Sequence, residues 1–136
     1  MDVFDQEEFD RWLSQANHTF ASAERDAHQK DFAWACFKAQ QAGEYALKAL
    51  LRGLSQPAYG HALKRLLGEL AELNLGVPEK IQSAGQALDR HYIPARYPDA
   101  YPEGSPHEYY DQKTAKEALD AAAEVIGWVE GARTKT

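Results

Sequence analysis

Three side chains in the middle of the chain, Lys48, His61 and Arg96, are of the types that meet phosphate and move protons. Gln41, Glu44 and Lys48 stand three and four residues apart, so on a helix they share one face. Glu44 four residues before Lys48 is a favourable helical ion-pair order worth about 0.2–0.5 kcal/mol, which needs no ligand to explain it. Turned to a ligand, the same face offers Lys48 as a point charge for phosphate and Gln41 as a reader of a sugar or base edge. His61 follows Gly60 at the expected start of a helix, where its imidazole either satisfies a loop carbonyl or works as a general acid or base. Arg96 lies between Pro94 and Pro98, beside Tyr97 and three residues before Asp99. Backbone so constrained suits a fixed guanidinium fork for phosphate or carboxylate; equally it suits an internal brace, with Arg96 paired to Glu44 or Asp99. Asp99 is expected to accept loop amides. His91 is a second imidazole placed to act as base.

Five amphipathic segments would position these groups. Apolar residues at alternating spacings of three and four predict helices over about 5–28 (Phe9, Trp12, Leu13, Ala16, Phe20) and 31–53 (Ala35, Cys36, Ala39, Gly43, Leu47, Leu50). The second is rich in small residues that let a neighbour approach closely, and Gly53 suits a C-terminal cap. Leucines at 63, 66, 67, 70 and 73 predict a third helix over about 61–74, ended by Asn74 and Gly76. Pro78 fits the first turn of a shorter fourth helix, about 78–91, and the last runs over about 111–131. Trp128 lies off the main stripe of that last helix, covering a seam or a partner. No stretch alternates with period two, so the expected architecture is all-α: an antiparallel up-and-down four-helix bundle with one additional short helix. Between the last two helices, residues 92–110 hold four prolines and five tyrosines, Tyr92 and Tyr97 among them. Proline at that density forbids regular helix, and the tyrosines favour an ordered loop, either a lid or a binding segment.

Composition narrows the functions available. The 136 residues read as one domain over 1–136. The net charge of −6 is unevenly spread: −5 over residues 1–37, +3 over 38–96 and −4 over 97–136. An anion is therefore expected on the middle third, and duplex DNA is not an expected partner. The acidic start, with no basic and then apolar leader, and a lone cysteine, Cys36, point to a cytoplasmic chain without disulfides, with no membrane partner. No metal or cofactor is expected: there are no paired Glu-x-x-His motifs, no cysteine cluster and no phosphate-cradling glycine loop.

Three stretches taken in order resemble the HEPN (higher eukaryotes and prokaryotes nucleotide-binding) family. They are Ala39-Gln40-Gln41-Ala42-Gly43-Glu44-Tyr45-Ala46-Leu47-Lys48, the helix opening at His61-Ala62-Leu63-Lys64-Arg65, and Tyr92-Ile93-Pro94-Ala95-Arg96-Tyr97-Pro98-Asp99. The resemblance implies a helical bundle, often dimeric, that commonly works beside a minimal nucleotidyltransferase; several branches bind nucleotides or cleave RNA. Those ribonuclease branches carry an arginine followed after four to six residues by histidine. Here Arg96 meets its next histidine only at His107, across three prolines, and His91 precedes Arg96 in the reverse order. The expectation is a nucleotide- or RNA-phosphate-binding module that is a homodimer and the partner of a minimal nucleotidyltransferase, its site built from Lys48, His61 and Arg96 with Gln41, Glu44, Tyr92, Tyr97 and Asp99 in support. The alternatives are a metal-independent endoribonuclease toxin, using Arg96 on the pentacoordinate phosphate and His61 or His91 as base, and a non-catalytic protein-interaction chain.

Overall fold

The computed structural model describes residues 3–135; the ends of the span read as one domain, Met1, Asp2 and Thr136, lie outside it. Five helices follow in order: α1 (Gln6–His28), α2 (Phe32–Gly53), α3 (Leu63–Glu72), α4 (Glu79–Asp89) and α5 (Gln112–Thr134). Among the described residues there is no strand, and no helix is long and apolar enough to cross a membrane. The all-α bundle expected from the apolar spacing is the architecture found, with predicted helix ends within about three residues of those observed.

Helix α2 is the central element, and its composition explains why. Alanines at 35, 39, 42, 46 and 49 are fully buried, so α1, α5, α3 and α4 all close on a backbone with little side-chain bulk. Gly43 is a point of closest approach: a Cβ there would come 2.7 Å from Cδ2 of Leu63 and 3.0 Å from Cδ1 of Leu88. Helices α1 and α2 form an antiparallel hairpin, its open end tied by the Asp5 amide donating to the Gly53 carbonyl at 2.7 Å. At the same end Arg133 of α5 lies over the Phe4 ring and donates to Gln6, so α5 runs antiparallel to α1. Trp128 packs half-buried against the common core.

The helix ends carry a correction. Gly53 was expected to cap α2, but it is the last helical residue, and a Cβ there would collide with the Phe4 ring. The left-handed position belongs to Ser55 (φ 60), with Lys30 (φ 65) and Asn74 (φ 66) playing the same part after α1 and α3. Each of these three ends has the paired reverse hydrogen bonds of a Schellman motif, as in Asn74 N to Ala71 O at 3.0 Å and Leu75 N to Leu70 O at 3.3 Å. Glycine at 53 answers to packing.

The long connection is ordered by its own residues. It makes two 3-10 turns, Pro98–Ala100 and Pro106–Glu108, each opened by a proline whose missing N–H costs nothing at a first position. Tyr101 and Tyr109 stack at 4.0 Å, and the Tyr101 hydroxyl donates to the Pro94 carbonyl at 2.9 Å. Pro106 is buried, and its turn packs on α2. His91, at the start of the connection, hydrogen-bonds through Nδ1 to the Tyr110 hydroxyl at 2.9 Å, joining the end of α4 to the start of α5.

Candidate functional site

The site is built outward from one carboxylate. Glu44 lies on the face of α2 beneath the segment that leads into α3, and it is buried. Its Oε2 receives the Lys48 ammonium at 2.9 Å, and its Oε1 receives Gln41 Nε2 at 3.2 Å. His61 closes the group: its Nδ1 stands 3.2 Å from Oε2 and 3.3 Å from Oε1. The helical spacing of Gln41, Glu44 and Lys48 therefore puts them on one face, as the sequence implies. That face turns inward, however, and the Lys48 side chain is only 10% exposed. Its charge is spent on Glu44, so no free ammonium faces solvent there. Gln41 likewise uses its amide on Glu44 and on Oε1 of the Gln40 side chain at 2.7 Å.

His61 is the outward member of this group, its side chain 57% exposed. It precedes α3, whose cap residue is Ala62. Its backbone is held as firmly as its ring. Gln40, fully buried, donates Nε2 to the His61 carbonyl at 2.8 Å. Two residues on, the free amides of Leu63 and Lys64 donate to the Asp89 carboxylate at 2.7 and 3.0 Å. An acid at the end of α4 thus caps α3 across 26 residues of sequence. The imidazole then lies on the Tyr92 ring, 4.8 Å between centroids and 17° from parallel.

Tyr92 connects this group to Arg96. The guanidinium sits 4.2 Å from the Phe37 ring centre, 4.6 Å from that of Tyr92 and 4.9 Å from that of Tyr97. Its Nε donates to the Tyr92 carbonyl at 2.7 Å. Among the described residues no carboxylate pairs with it. The brace envisaged through Glu44 or Asp99 is therefore replaced by aromatic faces and one carbonyl. Asp99, expected to accept loop amides, is exposed on its 3-10 turn and takes no such hydrogen bond among the described residues. His91 is committed to Tyr110 rather than to this cluster. Burial is the main cause holding its basicity below the ordinary 6.5, with the Arg90 charge adding to it. Cys36 is buried, as its place in the apolar stripe predicts, and burial together with the nearby Asp111 carboxylate pushes its thiol up to about 12.

Two depressions are lined by members of this cluster. One, of about 460 Å³, is bordered by His61, Asp89, Tyr92, Ile93 and Pro94. The other, of about 660 Å³, is bordered by the turn between α1 and α2, including Lys30 and Trp34, and by Arg96 and His107 from the loop. Arg96 and His61 thus touch the same tyrosine but line different hollows. Lys48 lies behind them. Among the described residues no group of three or more histidine, cysteine or acidic side chains is placed to hold a metal.

Three residues of this site lie outside the candidate set read from the sequence: Gln40, Phe37 and Asp89. Gln40 carried a signal: it sits four residues after Cys36 and three before Gly43, a polar residue on the buried stripe that needs an internal partner. Phe37 is the ring next to it that Arg96 covers. Asp89 carried no local signal, because the amides it caps belong to a distant helix.

A helical bundle with a buried carboxylate–lysine pair under an exposed histidine, and an arginine on an aromatic platform nearby, makes this a small all-α domain. The HEPN domain family model matches residues 9–132, and the chain belongs to that family. Among solved structures it is similar to TT1696 from Thermus thermophilus, with 44% identity over 91% of this chain and 97% of that one and a TM-score of 0.88. It is also similar to ST0689, an archaeal HEPN homologue, at 33% identity, covering 90% of this chain and 95% of that one, with a TM-score of 0.77. An HEPN domain protein of Thermotoga maritima, tm0613, is 27% identical over 93% of this chain and 99% of that one, also with a TM-score of 0.77. No curated protein matches the chain.

Proposed function

We propose that this chain is a nucleotide- or RNA-phosphate-binding module, a homodimer that works as the partner of a minimal nucleotidyltransferase. Membership of the HEPN family supports a nucleotide- or RNA-related role in general. The observation that carries the reading is Arg96. Three rings and a carbonyl hold its guanidinium in place, no carboxylate neutralises it among the described residues, and it borders an open hollow. The guanidinium is immobilised without being discharged by an acid, which supports a role in anion capture. Lys48 acts from behind by holding Glu44, and Glu44 holds His61; Gln41 completes the group.

Calorimetric titration with ATP and with a short single-stranded oligoribonucleotide tests the reading. Arg96→Ala is expected to weaken binding by about 10- to 100-fold, the worth of a charge-assisted hydrogen bond or two. No heat with either probe, alone or after co-expression with a nucleotidyltransferase from an adjacent reading frame, rejects it. Light scattering on the co-expressed material checks the rest: two copies of this chain co-eluting with the transferase are expected, and a lone 15.2 kDa species counts against both dimer and partner.

A further inference from the structure

From the way Glu44 turns the His61 ring, we infer that His61 distinguishes ribose from deoxyribose, accepting a hydrogen bond from a sugar hydroxyl of the nucleotide whose phosphate Arg96 holds. The inference rests on the binding reading above and adds which sugar the site selects.

The argument begins with what Glu44 is able to do. A carboxylate in an ion pair with Lys48, with Gln41 donating to its other oxygen, is an acceptor and has no proton to give. His61 Nδ1 lies within hydrogen-bond reach of both its oxygens, so Nδ1 is the nitrogen that carries hydrogen. A neutral imidazole has one N–H, which leaves Nε2 with a bare lone pair. Histidine in water favours the opposite arrangement, with the proton on Nε2, so the tautomer is imposed by the carboxylate.

The acceptor so created is also fixed in space. Gln40 anchors the His61 carbonyl, Asp89 anchors the next amides, and the ring lies flat on Tyr92. More than half of the imidazole remains exposed, at the edge of the hollow bordered by Ile93 and Pro94. A phosphate oxygen placed against Nε2 would set two acceptors face to face. A hydroxyl satisfies it, and a ribonucleotide carries a 2′-hydroxyl where a deoxyribonucleotide has hydrogen. Arg96 and His61 lie 4.6 and 4.8 Å from the centre of one tyrosine ring, so a single nucleotide can reach both. This is discrimination by a donor the wrong sugar lacks.

Nitrogen-15 spectra of the labelled protein test the first half, recorded at a pH well above the ~6.5 at which a free imidazole charges. The expected result is a hydrogen-bearing Nδ1 and a bare Nε2 for His61, with the population moving toward Nε2–H in Glu44→Gln. A proton on Nε2 in the unaltered protein overturns the inference. Affinities for paired probes test the second half: ATP against dATP, and an oligoribonucleotide against the deoxy strand of the same sequence. The ribose member of whichever pair binds is expected to win by about tenfold, one hydrogen bond's worth. The pair that responds separates a free nucleotide from a strand as the source. His61→Phe keeps a ring on Tyr92 while removing Nε2, so it is expected to bring the two sugars to parity. Equal affinity in the unaltered protein, or a preference that survives His61→Phe, sinks the sugar inference while leaving the binding reading intact. No binding by any probe removes both. The spectra and the unaltered-protein ratios stand even if a variant fails to fold.

Discussion

At the scale of the residue, the Glu44–Lys48 pair shows how one spacing supports two readings. Four residues apart on an exposed helix, it would be a solvated ion pair worth a few tenths of a kcal/mol. Here both partners are buried, and His61 and Gln41 also lean on the carboxylate. Removing Glu44 leaves an ammonium with no counter-charge in a poorly solvated place. Glu44→Ala is expected to cost about 3–5 kcal/mol, and the double change Glu44→Leu with Lys48→Leu to cost much less, because no orphan charge remains. Urea unfolding of the single and double variants checks this; a double variant as unstable as Glu44→Ala would show that the loss comes from packing. The double change is nonetheless expected to release His61, so stability and ligand selection should part company.

At the scale of the element, α3 is a ten-residue helix whose N-terminal amides have no cap of their own, the Ala62 side chain having no acceptor. Asp89 supplies that cap from the last turn of α4. This contact places the start of α3, and with it His61, relative to the Tyr92 that follows α4. Asp89→Ala is expected to lower stability by about 1–2 kcal/mol. Asp89→Asn, which keeps an accepting oxygen, should recover most of that. A second readout separates capping from site geometry: amide hydrogen exchange should rise at Leu63 and Lys64 in Asp89→Ala while α1 and α5 keep their protection. Unchanged exchange at those two amides would contradict the assigned role.

At the scale of the whole molecule, the long loop is tied down at several points, and His91 is the one that titrates. Its Nδ1 meets Tyr110, whose hydroxyl burial pushes up, and Arg90 is the neighbouring charge. Since the folded imidazole lies below its ordinary 6.5, the unfolded chain binds the proton more readily. The contribution of His91 to stability is therefore complete above 6.5 and is lost as pH falls below it toward the lowered folded value. Unfolding midpoints at about pH 7.5 and about pH 5 should fall on the acid side, and His91→Gln should flatten that slope. An unchanged slope in the variant assigns the acid sensitivity elsewhere.

Much of the bundle was legible in the residues alone, because helix formation and burial answer to local spacing: apolar side chains every three or four positions leave few other ways to hide from water. The placing of Gln41, Glu44 and Lys48 on one face follows from helical periodicity too. Which way that face points does not, since inward and outward orientations satisfy the same local rules, and only the closing of α3 over α2 at Gly43 selects between them. The Arg96 platform and the Asp89 cap join segments far apart in the chain, and a contact made by two distant segments leaves no periodicity in either.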